Sequence, residues 1–228
     1  MHALKHLDLT SLIATEIPRL SARFFPDLVW RLPHRGQVAY LTFDDGPSRQ
    51  MTSRLLDVLA RFDARATFFM IGAFAARDPG LVRAVHAAGH TVGNHTYTHP
   101  DAWKTPVHAL LAELERTTGL LEDLTQQPLG WMRPPYGRFT RAMRAWCLSR
   151  RQHLTMWDVM PGDYLPRVTQ AKLERRILGY LRHGSIVVLH DNPKADVHMP
   201  AALENLLRRL RDEGWTFPAL GANRQAGP

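Results

Sequence analysis

Short apolar runs alternate along the chain with longer segments in which apolar residues recur every three or four positions. The run QVAYLTF at residues 37–43 and the run SIVVLH at 185–190 are rich in β-forming side chains, which predicts buried strands. The same pattern returns along the chain, so about seven strands are predicted, at residues 37–43, 65–72, 90–95, 130–135, 153–159, 185–190 and 215–220.

The segments between these runs have the periodicity of amphipathic helices. A long one over residues 107–124 places Leu110, Leu114 and Leu121 on one face. Another starts at an Asp-Pro pair and ends at a glycine, which are common helix boundaries. The predicted helices lie at residues 52–62, 78–89, 107–124, 173–181 and 203–210.

Strands that alternate with helices are typical of an α/β fold in which helices cover a parallel sheet. Such a sheet is either open and doubly wound or closed into a barrel, and in both cases active sites lie at the C-terminal ends of the strands. The alternation runs without a linker. We therefore predict a single catalytic domain at residues 37–222, an N-terminal extension over 1–36 and a C-terminal tail over 223–228.

The formal charge of +8 comes from basic residues that are scattered along the chain. This pattern predicts a basic solvated surface. The alternative is electrostatic association with an anionic partner such as wall polymer, lipid head groups or nucleic acid. We expect no nucleic-acid binding, because the chain has no RNP-like aromatic motif, zinc-finger spacing or basic-region helix. The oligomeric state is left open.

The single cysteine, Cys147, excludes an internal disulfide framework and a cysteine-rich zinc site. The N-terminus lacks the uninterrupted apolar core of a signal peptide, since Asp8, Glu16 and Pro18 break it. No apolar run approaches the ~20 residues that cross a bilayer. The expectation is a protein without a transmembrane segment and with a cytoplasmic location.

Unusual polar residues follow the predicted strands at the point where each strand ends. Because the C-terminal ends of parallel strands share one edge of a sheet, most of these side chains are expected to lie near one another. They are Asp44, Asp45, His95, His99, Arg133, Asp158, Asp163, His190 and Asp191.

The stretch NHTYTHP spaces His95 and His99 four residues apart. On a helical turn both rings would lie on one face and could supply two zinc ligands. The signal is weak by itself in a chain with 12 histidines. A carboxylate from the Asp44–Asp45 pair would complete a His2Asp set with a water position left open, as in catalytic zinc sites.

The two aspartates raise a geometric problem, because adjacent side chains of a strand point to opposite faces. A turn at Gly46–Pro47 would relax that alternation and let both carboxylates reach one site. The alternative is that DDGP is only a solvated turn, where these residue types are favoured. Arg133, after two apolar residues, suggests a carboxylate partner. It could equally belong to a rigid turn. His190 is suited to proton transfer or to a structural role at a strand end.

Five motifs in this order make the chain similar to the polysaccharide deacetylase (NodB-homology) family, also called carbohydrate esterase family four. TFDDGP, HTYTH, RPPYG and VVLH resemble four of its motifs, and the likeness extends over about residues 40–220. The fourth family motif, D-x-x-D-W, is represented by MPGDY, which keeps only Asp163. Met160 replaces the first aspartate and Tyr164 replaces the tryptophan that forms a wall of the substrate groove.

The resemblance implies a distorted (β/α) barrel of the NodB type and a divalent metal held by Asp45, His95 and His99. Zinc is expected in the first place, with cobalt, manganese or nickel as alternatives. By the resemblance, Asp44 is the general base and His190 is the general acid. Arg133 would supply the charge that keeps Asp44 ionised. By the same analogy, Asp163 orients either His190 or Arg133.

Three further residues are assigned to the substrate by the resemblance. The backbone N–H of Tyr136 would stabilise the oxyanion, Leu189 would line the pocket for the acetyl methyl group, and Tyr164 would form the groove wall. An amide is a poor electrophile with a poor leaving group, so a Lewis acid, a base and an acid suit its hydrolysis.

The activity implied is hydrolysis of N-acetyl groups from an amino-sugar polysaccharide, similar to peptidoglycan or chitin. One alternative is a deformylase or deacetylase of a glycolipid or other small non-peptide amide, which the replacement of tryptophan by Tyr164 keeps open. Another is a carbohydrate-binding module without catalysis. The presence of Asp44, Arg133 and His190 beside the metal ligands argues against that module, because binding alone requires none of them.

Overall fold

Six parallel strands form the sheet at the centre of the fold, in the order β5-β4-β3-β2-β1-β6. The structure is a computed structural model that describes residues 17–165, 168–191 and 199–221. The strands are β1 (Ala39–Gly46), β2 (Ala66–Met70), β3 (Thr91–Asn94), β4 (Trp131–Met132), β5 (His153–Leu154) and β6 (Ser185–His190). The predicted parallel α/β arrangement is confirmed.

Helices connect successive strands and cover the sheet. They are α1 (Arg49–Arg61), α2 (Gly72–Arg77), α3 (Pro79–Ala87), α4 (Val107–Thr125), α5 (Arg141–Ser149), α6 (Gln170–Tyr180) and α7 (Met199–Asp212). Asp78 caps α3 by accepting a hydrogen bond from the Leu81 N–H, and Thr140 caps α5 in the same way. Among the described helices, none is both long enough and apolar enough to cross a membrane.

The strands divide their side chains between two faces, as the period of two requires. On the outer face, Leu41, Phe43, Val187 and Leu189 pack in a cluster that also contains apolar residues of α1, α3 and α7. On the inner face, Tyr40, Phe69, Ile186 and Val188 belong to a second cluster. Thr42, Asp44 and His190 have the same parity as that inner set, so the polar ends of β1 and β6 turn toward the inside.

The two edges of the sheet are joined by irregular chain, which curls the sheet into a distorted barrel. Val29 bridges to Thr155 just beyond β5, and the next residues reach β6, where Arg31 bridges to Ser185. Val159 bridges to Val187 on the same edge strand. Single bridges of this kind close the gap without forming further strands, and the predicted barrel of the NodB type is confirmed in this form.

The predicted seventh strand, WTFPAL at residues 215–220, crosses beneath the sheet instead of extending along it. Thr216 bonds to the start of β1, the Phe217 carbonyl accepts from the N–H of Arg65 before β2, and the Leu220 carbonyl accepts from Thr91 at the start of β3. Each strand thus receives one or two contacts. Pro218 has no N–H to donate to a ladder, which fits a crossing segment better than a central strand.

Residues before β1 are also part of the packing. Leu28 and Trp30 are buried in the inner cluster, and Arg19 donates to the Tyr180 carbonyl at the end of α6. The domain boundaries at residues 36/37 and 222/223 stay predictions, and residues 1–16 and 222–228 lie outside the described part of the chain.

Candidate active site

The carboxylates of Asp44 and Asp45 reach the same cavity because β1 contains a bulge. Asp44 pairs with Phe69 and Gly46 pairs with Met70, so Asp45 is the extra residue of the bulged strand. Its φ of 74° lies in the left-handed region. A bulge bends the strand and re-aims the side chain, so the predicted break in the alternation is present and lies at Asp45 itself.

A buried contact between two elements fixes the turn after β1. The Asp191 backbone N–H donates to the Asp44 carbonyl at 2.7 Å, and its Oδ2 accepts from the Thr52 hydroxyl at 2.6 Å. The Thr52 oxygen in turn accepts from the Ser48 N–H. Burial raises the pKa of Asp191 well above its usual range, and the charge of Asp45 adds to that rise. A methyl group at Gly46 would lie 2.4 Å from Asp191 Oδ2, so only glycine fits there.

The loop after β3 brings His95 and His99 together without a helix. Thr96 and His99 have φ values of 65° and 61°, and these left-handed residues fold the loop back. The Asn94 side chain accepts from the Thr96 N–H, while Glu113 on α4 accepts from the N–H groups of residues 97 and 98. Side-chain oxygens thus accept hydrogen bonds from the backbone N–H groups of a loop that has no regular secondary structure.

Asp45, His95 and His99 place one ligand atom each within 4.8 Å of one another. The Nε2 atoms of His95 and His99 lie 3.4 and 3.1 Å from Asp45 Oδ1. Burial would raise the pKa of Asp45, but its hydrogen bonds to the two imidazoles outweigh burial and hold that pKa far below the usual range. Two imidazoles and an ionised carboxylate are a donor set for a divalent cation.

The His95 ring has the orientation that a metal ligand needs. Its Nδ1 lies 2.7 Å from the Arg133 carbonyl oxygen. Because a carbonyl oxygen only accepts, Nδ1 carries a proton, and Nε2, which faces Asp45 and His99, is the atom that would bind a cation. A backbone carbonyl in this position is a common outer partner of metal-binding histidines. The residues present therefore fit a bound divalent cation.

Arg133 is fully buried inside the barrel and bonded to the base predicted at Asp44. One nitrogen, Nη1, donates to Asp44 Oδ1 at 2.8 Å and to Thr42 Oγ1 at 2.6 Å, and Nη2 donates to the Met156 carbonyl at 2.9 Å. The guanidinium also lies 4.3 Å from the Phe69 ring centroid. Burial lowers the pKa of Arg133, and the Asp44 charge opposes that change. The carboxylate partner expected for Arg133 is Asp44.

Of the two partners left open for Asp163, His190 is the one to which it bonds in the structure. Asp163 Oδ1 lies 2.9 Å from His190 Nδ1, and Asp163 Oδ2 accepts the His190 backbone N–H at 2.7 Å. Burial alone would lower the pKa of His190, but the Asp163 charge and hydrogen bond, with smaller effects of Asp44 and Asp45, raise it to about 9. The imidazole is therefore held in its protonated form at neutral pH.

One open cavity of about 650 Å³ is lined by five of these residues: Asp44, Asp45, His95, His99 and His190. Tyr136 and Tyr164 form parts of its wall, with the Tyr136 ring 4.6 Å from His99 and the Tyr164 ring 4.9 Å from His190. Met160, the residue that departs from the fourth motif, also lines the cavity. The fourth-motif replacements thus remain at the wall and leave the ligand cluster and the His190–Asp163 pair intact.

Leu189 does not line this cavity, and that prediction is corrected. Leu189 lies on the outer face of β6 among residues of α6 and α7, whereas Val188 lines the cavity. The strand period of two explains the difference, because a residue adjacent to His190 must point away from it. The side chain that shares a face with His190 is two residues before it.

Asp158 lies at the other end of the sheet from the site. Its carboxylate accepts hydrogen bonds from the Ile186 N–H, the Ser185 hydroxyl and Arg182, all at the start of β6. It therefore anchors an edge strand.

Three residues of the site were not predicted from the motifs: Thr42, Phe69 and Val188. Thr42 could have been predicted, because it stands two residues before Asp44 in β1 and so shares its face. Phe69 could not, because its contact with Arg133 depends on the tertiary fold.

Comparison with known proteins agrees with this architecture. The polysaccharide deacetylase family model matches residues 31–152. A chitooligosaccharide deacetylase of Sinorhizobium fredii is 33% identical over 213 residues, which cover 86% of this chain and 98% of that protein. A peptidoglycan-N-acetylglucosamine deacetylase of Bacillus cereus is 29% identical over 189 residues, 82% of this chain and 68% of the relative.

The fold is shared with a solved structure as well. A peptidoglycan N-acetylglucosamine deacetylase, crystallised with a naphthalenyl N-hydroxybenzamide, superposes with a TM-score of 0.83 at 27% identity, over 88% of this chain and 94% of that one. The motif order, the curled sheet and the matched family model lead to one conclusion: the chain belongs to the polysaccharide deacetylase family.

Proposed function

We propose that this protein is a metal-dependent hydrolase that removes N-acetyl groups from amino-sugar glycans. The observation that carries the proposal is that three sets of groups meet at one cavity: a cation-binding cluster, the carboxylate of a buried Asp–Arg pair and a protonated histidine. A binding module would need only the first. The other two supply proton transfer on either side of a reacting carbonyl.

Asp44 acts as the general base. Arg133 and the bulge fix its position, and Arg133 Nη1 bonds to Oδ1. The second oxygen, Oδ2, is then the atom that accepts a proton from the attacking water. Thr42 bonds to the same guanidinium nitrogen and keeps it in place. A base with a fixed rotamer avoids reorganisation during the reaction.

His190 acts as the general acid. Its Nδ1–H donates to Asp163, so the proton on Nε2 is the one delivered to the leaving amine nitrogen. A pKa of about 9 keeps that proton available at neutral pH. The backbone bond between His190 and Asp163 adds a second constraint on the same pair. Asp163 is therefore a positioning residue.

Asp45, His95 and His99 are proposed as ligands of zinc, with cobalt, manganese or nickel able to substitute. When bound there, the cation supplies Lewis acidity that polarises the acetamide carbonyl and acidifies water. The backbone N–H of Tyr136 is proposed as a further donor to the developing oxyanion, since Tyr136 lines the same cavity. Val188 takes the acetyl-methyl contact first assigned to Leu189.

The proposed substrates are peptidoglycan-like or chitin-like glycans, the classes printed in the names of the relatives. The cavity is open and of a size that admits a sugar with its acetamido group. The test is acetate release from acetylated chito-oligomers by the purified protein, its loss with a chelator and its return with zinc or cobalt. Glycan binding without acetate release would favour the non-catalytic module, and release from small amides or glycolipids alone would favour the other alternative.

A further inference from the structure

Beside the cavity lies a second aromatic surface, formed by the indole of Trp103. This side chain is 68% exposed, although tryptophan is usually well covered. It belongs to the loop that follows His99, so it is only four residues away from a proposed metal ligand. An exposed aromatic side chain is by itself unremarkable, but this ring is rigidly held and is connected to the cavity.

The backbone around Trp103 is fixed by one aspartate. The Trp103 N–H donates to Asp101 Oδ1 at 3.1 Å, and the Asp101 carbonyl accepts from the Lys104 N–H and the Thr105 hydroxyl. Ala102, between them, is buried in the inner cluster. These bonds form a compact turn with one anchored residue, so the exposed ring stands on a defined backbone.

The indole itself is fixed at its polar edge. Its Nε1–H donates to the Phe139 carbonyl at 3.2 Å. The Arg138 guanidinium lies 4.9 Å from the Trp103 ring centroid and forms an ion pair with Asp101. A ring held by a hydrogen bond and a stacked cation loses little further freedom when a ligand binds to it.

Arg138 also connects this ring with the cavity wall. The same guanidinium lies 5.7 Å from the centroid of Tyr136, which lines the cavity next to His99. Tyr136, Arg138 and Trp103 therefore form a continuous strip that leads from the proposed metal site to the surface. We call this set the Trp103 strip.

We propose that the Trp103 strip binds a neighbouring sugar ring of the glycan chain whose acetamido sugar occupies the cavity. The proposal rests on the function proposed above and narrows its substrate to oligomeric or polymeric glycans. The C–H groups on a pyranose face form an apolar surface with partial positive charge, which suits the negative face of an indole. The Asp101–Arg138 pair at the rim offers an acceptor and donors to the ring hydroxyls.

The test compares chain lengths in three variants. Trp103→Ala is expected to lower kcat/KM about tenfold for an acetylated chitohexamer, through KM with kcat preserved. For the single N-acetylated sugar, kcat/KM should stay within about twofold of wild type. Trp103→Phe keeps an aromatic face and should recover most of the loss. Leu148→Ala, which removes a side chain of similar exposure on α5, should leave kcat/KM for both substrates unchanged.

If Trp103→Ala lowers kcat/KM equally for the single sugar and the hexamer, or for neither, the proposed role of the Trp103 strip is wrong. A binding measurement separates this outcome from failure of the proposed function. In an Asp44→Asn background, calorimetric affinity for the hexamer should fall with Trp103→Ala. Trp103-dependent binding without acetate release from wild type would contradict the deacetylase and support the strip. Acetate release that does not change in Trp103→Ala would support the deacetylase and contradict the strip. If the protein neither binds the hexamer nor releases acetate, both proposals are wrong.

Discussion

Arg133 and Asp44 form an ion pair of 2.8 Å between side chains that are 0% and 7% exposed. The pair lies inside the barrel, where the guanidinium also bonds to Thr42 and to the Met156 carbonyl. A charge placed this deeply is tolerated only with its partner present. Removal of one partner is therefore expected to lower stability as well as to disturb the position of the base.

Arg133→Met is expected to destabilise the protein by about 3–5 kcal/mol, because it leaves the Asp44 carboxylate buried without a cation. Urea denaturation at neutral pH measures this change. The double variant Arg133→Met/Asp44→Asn should regain part of the loss, since it removes the unpaired charge. A loss of about 1 kcal/mol or less, as for an exposed pair, would show that Asp44 is not held in the way described.

Two glycine substitutions test the turn that carries Asp44 and Asp45. Gly46→Ala should lower both Tm and activity, because its methyl group would lie 2.4 Å from Asp191 Oδ2 in a fully buried contact. Gly119→Ala is the control: it lies inside α4, and a methyl group there would meet no atom within 4 Å. It should stabilise the protein by about 0.5–1 kcal/mol. Similar Tm changes in both variants would contradict a tight turn at Gly46.

The alkaline limb of the pH–rate profile should report His190. Its pKa is raised to about 9, mainly by Asp163 acting against burial, so the acid form is present below that pH and lost above it. Asp163→Asn removes the charge and should shift the alkaline limb of kcat to lower pH, with the acid limb unchanged. Wild type and variant carry the same cation, so the shift isolates Asp163. An unmoved alkaline limb would remove His190 from the role of general acid.

Cation binding should depend on the three proposed ligands. His99→Ala is expected to lower zinc affinity by a factor of about ten to a hundred or more, since loss of even an outer partner of a ligand has an effect of that order. His108→Ala, which alters an exposed histidine on α4, is the matched control. Equal zinc content in both variants after dialysis, measured by atomic emission, would contradict the ligand assignment.

The sequence predicted the parallel α/β fold well, because apolar runs and helical periodicity record which faces are buried. It predicted the meeting of Asp45 with His95 and His99 through motif order. It did not predict the backbone conformations that bring these groups together, which are a bulge at Asp45 and a loop with left-handed residues at Thr96 and His99. Such backbone conformations depend on tertiary partners such as Glu113 and Asp191, which pattern analysis of one segment does not contain.

Two predictions about strand residues were wrong, for different reasons. Leu189 was assigned from its nearness to His190 in sequence, although adjacent strand residues face opposite sides. WTFPAL has the composition of a strand, yet it crosses the amino ends of β1, β2 and β3 and forms one or two bonds with each. Parity could have corrected the first error. The second required the position of the C-terminal segment relative to the sheet.

The separate roles of Asp44 and Asp45 are tested most directly by measuring acetate release and metal content together in Asp44→Asn. Zinc content should equal that of wild type, because Asp45, His95 and His99 are unchanged. Turnover should fall by about 10²-fold or more, the scale of general-base catalysis. The asparagine side chain of Asp44→Asn has the same shape and its amide oxygen can still accept the bond from Arg133 Nη1, and a thermal melt checks that the variant is folded. Full activity with zinc bound would contradict the division of the two aspartates into base and ligand.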